Sequence, residues 1–111
     1  MIQKTFQEPK YVLIYNGAQE LLAVMRSLNT ASDLCNLNLQ AISFCCTGKY
    51  VSSGGLYFRH VDPKVEIEFV DFYNLSLSEY DKMCGVVRRY HPEEDMLRRR
   101  ILEKQHKLFK Y

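Results

Sequence analysis

Side chains able to read a nucleic acid are concentrated in one stretch of this chain, from Asn38 to Arg59. Asn38 and Gln40 carry amides that can bond bidentately to N6 and N7 of adenine, and Ser43 can serve a base or a phosphate. Lys49, Ser52 and Ser53 follow in a polar loop, where their donors suit phosphate contacts that position without specifying. Arg59 could point to the same side, depending on the facing of its strand. Each residue also has a plainer reading: Asn38 as a helix cap only, Gln40 as a solvated surface residue. A second basic feature comprises Arg88 and Arg89, then Arg98, Arg99 and Arg100, with Tyr90 and His91 between. Such a helix could lie along a phosphate backbone or bind an acidic partner. Equally, it could be a solvated face with Glu94 paired to Arg98 and Asp95 to Arg99, four residues apart.

Catalytic residues are not assigned. His60-Val61-Asp62 sets a histidine beside a carboxylate, but at a strand end next to a turn, where a surface role is the simpler reading. Metalloprotease, nucleophile-elbow, P-loop and dinucleotide fingerprints do not occur. Gly54-Gly55 is too short to cradle phosphate and reads as a tight turn or bulge. Cys35, Cys45, Cys46 and Cys84 form no C-x-x-C pair, and His60, His91 and His106 stand in no ligand spacing with them. No metal and no cofactor are expected, and the cysteines read as reduced core thiols.

The residues from 28 to 49 read as two short helices with a tight break between them. Asn29 or Thr30 can cap the first and Asn38 the second, and Gly48 can end it with a positive φ. Ala31, Leu34 and Cys35 should form the inner face of the first helix; Ile42, Cys45 and Cys46 that of the second. This is helix-turn-helix spacing, though an αα-hairpin inside a core has it too. Upstream, residues 1 to 10 form a polar lead-in, expected to be loosely held. Tyr11 to Tyr15 reads as a strand, and Asn16-Gly17 begins a turn longer than a two-residue hairpin, which calls for a bulge or wider loop. Leu21 to Arg26 suits strand or helix.

Downstream, Leu56 to His60 is a short aromatic strand, and Val65 to Phe72 alternates like a second, together forming an antiparallel hairpin. Ser76 and Glu79 have capping-box spacing before a helix of about three turns, with Leu77, Tyr80, Met83, Cys84 and Val87 on its apolar stripe. Gly85 inside it marks a close contact or an early end. Pro92 starts a last helix with Glu93, Glu94 and Asp95 in its first turn and Lys104, Lys107 and Lys110 late, as the helix dipole favours. Its thin apolar stripe is Leu97, Ile101 and Leu108.

In order and motif, residues 10 to 60 resemble the modular helix-turn-helix DNA-binding domain associated with HNH and GIY-YIG homing endonucleases. The resemblance rests on Ser27-Leu28 and Ala31, then Ala41-Ile-Ser-x-Cys-Cys-x-Gly-Lys49, then Gly54-Gly55-Leu-Tyr-Phe-Arg59. Asn36 stands where that family often has Gly, and Lys49 is followed by Tyr50-Val51 where it tends to be basic. The resemblance implies that Leu21 to Met25 is strand. It also implies double-stranded DNA as partner and makes a phage or mobile-element origin plausible. The tripeptides and paired histidines of the nucleases themselves are missing, so the resemblance carries DNA binding and not cleavage.

Composition sets the bounds. The chain has 111 residues, 47% hydrophobic, with eight Tyr and six Phe, enough for one core. Its net charge of +2 is small, although residues 86 to 111 hold eight Lys/Arg against four Asp/Glu. That argues for weak DNA binding alone and therefore for help from a homodimer or a protein partner. The start has no apolar h-region and no run approaches the ~20 residues that span a bilayer, so the expected place is the cytoplasm, without membrane contact; a virion is the alternative. The expected fold is α+β, a small antiparallel sheet with an inserted helix-turn-helix followed by two C-terminal helices. Residues 10–60 form the module and 61–111 an extension docked on it. The leading function is a non-enzymatic DNA-binding regulator or accessory factor; the alternative is a structural or adaptor protein that uses the same fold to bind protein.

Overall fold

The structure, a computed structural model, describes residues 10–108, with the side chains of Tyr73 and of residues 104–108 outside that description. The lead-in at 1–9 and the late basic residues Lys104, Lys107 and Lys110, with Leu108, therefore lie outside the described residues or side chains. The fold is α+β. Strands β1 (Val12–Tyr15), β2 (Leu21–Met25) and β3 (Tyr57–His60) form an antiparallel sheet in the order β2-β1-β3. Between β1 and β2 the register shifts at Ile14/Tyr15, the irregularity that the long turn called for. Asn16 organises that turn: its Oδ1 accepts from the N–H groups of Ala18 and Glu20, both at 2.9 Å.

Both faces of the sheet are covered, which is why β1 is apolar at every position. Val12, Ile14 and Phe58 pack with Ala31, Ile42, Cys45 and Cys46 on one face. Leu13, Tyr15 and Tyr57 pack on the other with residues of the second half, among them Val61, Ile67, Leu77, Tyr80 and Met96. The period of two along a strand separates these sets. The two halves of the chain thus share one sheet, each covering its own side.

Helices α1 (Leu28–Cys35) and α2 (Leu39–Thr47) sit on the first face. Ser27 caps α1, not Asn29 or Thr30: its Oγ accepts from Thr30 N–H while Thr30 Oγ1 accepts from Ser27 N–H, a reciprocal box. Asn36 takes the left-handed conformation (φ 54°) at the break, Asn38 caps α2, and Gly48 (φ 94°) closes it. Leu34 departs from expectation, being 62% exposed. Leu37, brought in by the turn at Asn36, packs against that core in its place.

The second half holds α3 (Asp71–Asn74), α4 (Leu77–Met83) and α5 (Glu93–Leu108). Val65 to Phe72 is not a strand. Val65 and Ile67 are buried and Glu66 and Glu68 exposed, so the alternation is real, but side chains have taken the backbone groups that a ladder would use. On the outer edge of β3, the Tyr80 hydroxyl donates to His60 C=O and accepts from Asp62 N–H, both at 2.8 Å, while Arg59 donates to Phe58 C=O at 2.9 Å. Those carbonyls are thus spent on side chains and not on a neighbouring strand.

Ser76 and Glu79 make the expected capping box, reinforced by Gln19, whose C=O and side-chain oxygen accept from Leu77 and Ser78 N–H. The helix stops after two turns at Gly85 (φ 73°), leaving Met83 and Val87 exposed rather than on an inner stripe. In α5 the buried residue is Met96, and the expected inner residues Leu97 and Ile101 face out. Close backbone approach sets this phase. A Cβ on Gly17 would lie 2.5 Å from Met96 Cβ, and one on Gly55 2.6 Å from Arg100 N.

Candidate nucleic-acid interface

α2 is positioned from both ends. At its start the Asn38 side-chain oxygen accepts from Gln40 N–H at 2.9 Å and Ala41 N–H at 3.2 Å, so that oxygen is committed to the cap. At its end the Arg88 guanidinium donates to Cys46 C=O at 2.8 Å and Cys45 C=O at 3.3 Å, where a cation complements the helix dipole. Ile42, Cys45 and Cys46 turn into the core. The opposite side therefore presents Gln40 and Thr47 fully, with Ser43 and Phe44 half-buried between them.

Past Gly48 the exposed Lys49 places its ammonium 4.2 Å over the Phe44 ring, and Tyr50 meets the same ring edge-on at 5.1 Å. Phe44 and Tyr50 were not singled out from sequence. Helical spacing would have found Phe44, four residues after Gln40 on the outward face. Arg88 and the exposed Arg89 line a small crevice with Gly48, Tyr50 and Val51. Ser52 and Ser53 are half-buried and lead into the Gly54-Gly55 turn, closed by reciprocal bonds between Ser53 and Leu56. Ser52 and Gly54 share a shallow hollow of about 350 Å³ with Arg99, Leu102 and Glu103 of α5. The loop after α2 is thus flanked by cations of both basic features, Lys49 and Arg89 on one side and Arg99 on the other.

Arg59 also lines the crevice beside Gly48, but its guanidinium is not presented to solvent. It follows Tyr57, not Phe58, in the alternation of β3, and so points away from the helix pair into the second half, 3% exposed. There Nε and Nη2 donate to the two oxygens of Asp81 at 2.9 and 3.1 Å, and the Tyr90 hydroxyl donates to the same carboxylate at 2.7 Å. Arg88 is likewise spent, as the cap of α2. Arg98 to Arg100 do not form one stripe either, because successive residues on a helix point about 100° apart. Arg98 turns to Asp95 at 3.7 Å, three residues back rather than four, Arg99 to the Ser52 hollow, and Arg100 lies half-buried against Gly55.

His60 lies with Asp62, Tyr80 and Cys84 around a separate cleft of about 220 Å³. Burial raises the Cys84 thiol above its ordinary value, the reverse of what a nucleophilic thiol requires. Burial likewise pushes Cys45 up to about 11, and Cys46 up to about 12 with the neighbouring Cys45 adding to it. All four cysteines are free thiols. Among the described residues no three His, Cys, Asp or Glu side chains converge as a metal site, and no helix is long and apolar enough to cross a membrane. No family model, curated protein or solved structure matches the chain.

Proposed function

We propose that this chain is a non-enzymatic DNA-binding protein, a regulator or accessory factor, that uses α1 and α2 as a helix-turn-helix on double-stranded DNA. The observation that carries the reading is the outward side of α2, where Gln40 is exposed and Ser43 half-buried, followed by a loop bordered by Lys49, Arg89 and Arg99. In this reading Gln40 and Ser43 meet base edges, and Lys49, Arg89, Arg99 and Ser52 meet phosphates. A gel shift on mixed duplex DNA across a salt series tests it. Gln40→Ala is expected to weaken a preferred site by about 1–3 kcal/mol and leave non-specific binding nearly intact. Lys49→Ala is expected to weaken all sequences alike and lower the salt slope by about one. No shift at any salt sinks the proposal, and loss on Arg98→Ala with Arg99→Ala alone moves the contact to α5.

The second reading is a protein-binding adaptor. It draws on Leu34 and Leu39 of the helix pair and Tyr50 of the loop after it, which are exposed. Aromatic residues are enriched where proteins meet.

A further inference from the structure

Three arginines meet at the end of α2. Arg59 of β3, with Arg88 and Arg89 of the segment after α4, lines one crevice with Gly48, Tyr50 and Val51. A Cβ on Gly48 would lie 2.7 Å from Arg88 Nη1 and 3.7 Å from its Nε, so that guanidinium lies along the crevice wall. Burial and the neighbouring Cys45 raise the Cys46 thiol, and Arg59 and Arg88 both act to lower it, which sets these two cations near one thiol and near each other.

Charge at the crevice does not balance. The Asp81 carboxylate pairs with Arg59 and is not part of the crevice wall. Arg88 donates to carbonyl oxygens, and neither Arg88 nor Arg89 is in an ion pair among the described residues. Donors are in surplus as well. A guanidinium carries five N–H groups; Arg59 commits three of them, to Asp81 and Phe58 C=O, and Arg88 two. Like charges held together away from water repel strongly, and an anion among them turns that repulsion into charge-assisted bonds. The crevice has a volume of about 10 Å³, close to one water-sized sphere and too small for a phosphate or a carboxylate. We propose that it binds a single monatomic anion, chloride in kind, held by N–H groups of Arg59, Arg88 and Arg89. The ion ties β3 to the end of α2 and to the segment after α4.

This site does not rest on DNA binding, and its test contains no DNA. Melting of the full chain is compared in sodium chloride and in sodium gluconate at equal ionic strength, gluconate being too large to enter. The melting temperature is expected to rise with chloride, by about 5 °C for each tenfold increase once the site fills. The chlorine-35 resonance should broaden in parallel. Arg89→Gln, at an exposed position, should weaken both responses by about tenfold or more, and in gluconate should melt no lower than the parent chain because one repelling cation is gone. Arg26→Gln, exposed just past β2, removes a charge elsewhere and should keep both responses. A parent chain indifferent to chloride, or a response equally large in Arg89→Gln, overturns the proposal. An Arg89-dependent rise with phosphate and none with chloride overturns the assignment to a monatomic ion.

Discussion

Removing the Asp81 carboxylate would leave the Arg59 guanidinium buried without its ionic partner and the Tyr90 hydroxyl without its acceptor. Truncating one partner of a buried pair costs about 3–5 kcal/mol, whereas replacing both by apolar groups of similar volume is often neutral. Asp81→Ala should therefore lower the urea midpoint sharply, and Arg59→Met with Asp81→Leu should recover much of the loss. Equal loss in both would show that the pair is not the source. The buried thiols make a second residue-scale prediction. Cys45 and Cys46 have values raised in the fold to about 11 and about 12, so the unfolded chain releases those protons first. Their contribution is complete below pH 9 and declines as pH rises through the raised values, at up to about 1.4 kcal/mol per pH unit per thiol. Melting temperature should fall above pH 9, with a shallower slope in Cys46→Ala. Arg59 shows why such detail resists reading from sequence: one step of strand phase decides whether it faces the helix pair or Asp81, and neighbours in sequence do not reveal that phase.

At the scale of elements, local signals held where the chain itself supplies the partner. The Asn38 cap, the Asn36 break, the Gly48 stop and the Ser76–Glu79 box all satisfy backbone groups within a few residues, and all were legible. The cap of α1, expected at Asn29 or Thr30 and found at Ser27, is a local miss by two or three residues; the larger failures depended on distant groups. Val65 to Phe72 alternates correctly but forms no hairpin with β3, where the side chains of Tyr80 and Arg59 bond the outward carbonyls of His60 and Phe58. The phase of α5 was misplaced because Gly17 and Gly55, far back in the chain, decide which side can approach. That contact gives a prediction. Gly55→Ala must clear Arg100 backbone and also strain a φ of +78°, so it should cost about 1–3 kcal/mol for overpacking beyond the conformational term. Gly85→Ala has a similar φ of +73° with nothing within 4 Å, and should show only the conformational term, about 1 kcal/mol. Comparable losses in urea unfolding would mean that α5 is not seated as described.

For the whole molecule, the helix pair and the second half cover opposite faces of one small sheet, so neither side of β1 tolerates solvent. The candidate interface was half legible for this reason: the residues of α2 and its loop follow local spacing, but the approach of Arg89 and Arg99 depends on how the second half wraps the first. Arg88 makes the wrapping concrete. The stretch from Val86 to Pro92 has no regular secondary structure, yet it sends Arg88 to α2, Tyr90 to Asp81 and the His91 N–H to Tyr57 at 2.9 Å, while Val86, Val87 and Arg89 face out.

Side chains hold this strap down on either side of Arg89, at Arg88 before it and at Tyr90 and His91 after it. A brief tryptic cut after the exposed Arg89 should yield two fragments that co-migrate in native gel filtration and separate only in denaturant. Fragments that part at once in buffer would show that the covalent chain, and not the clasp, keeps α5 in place.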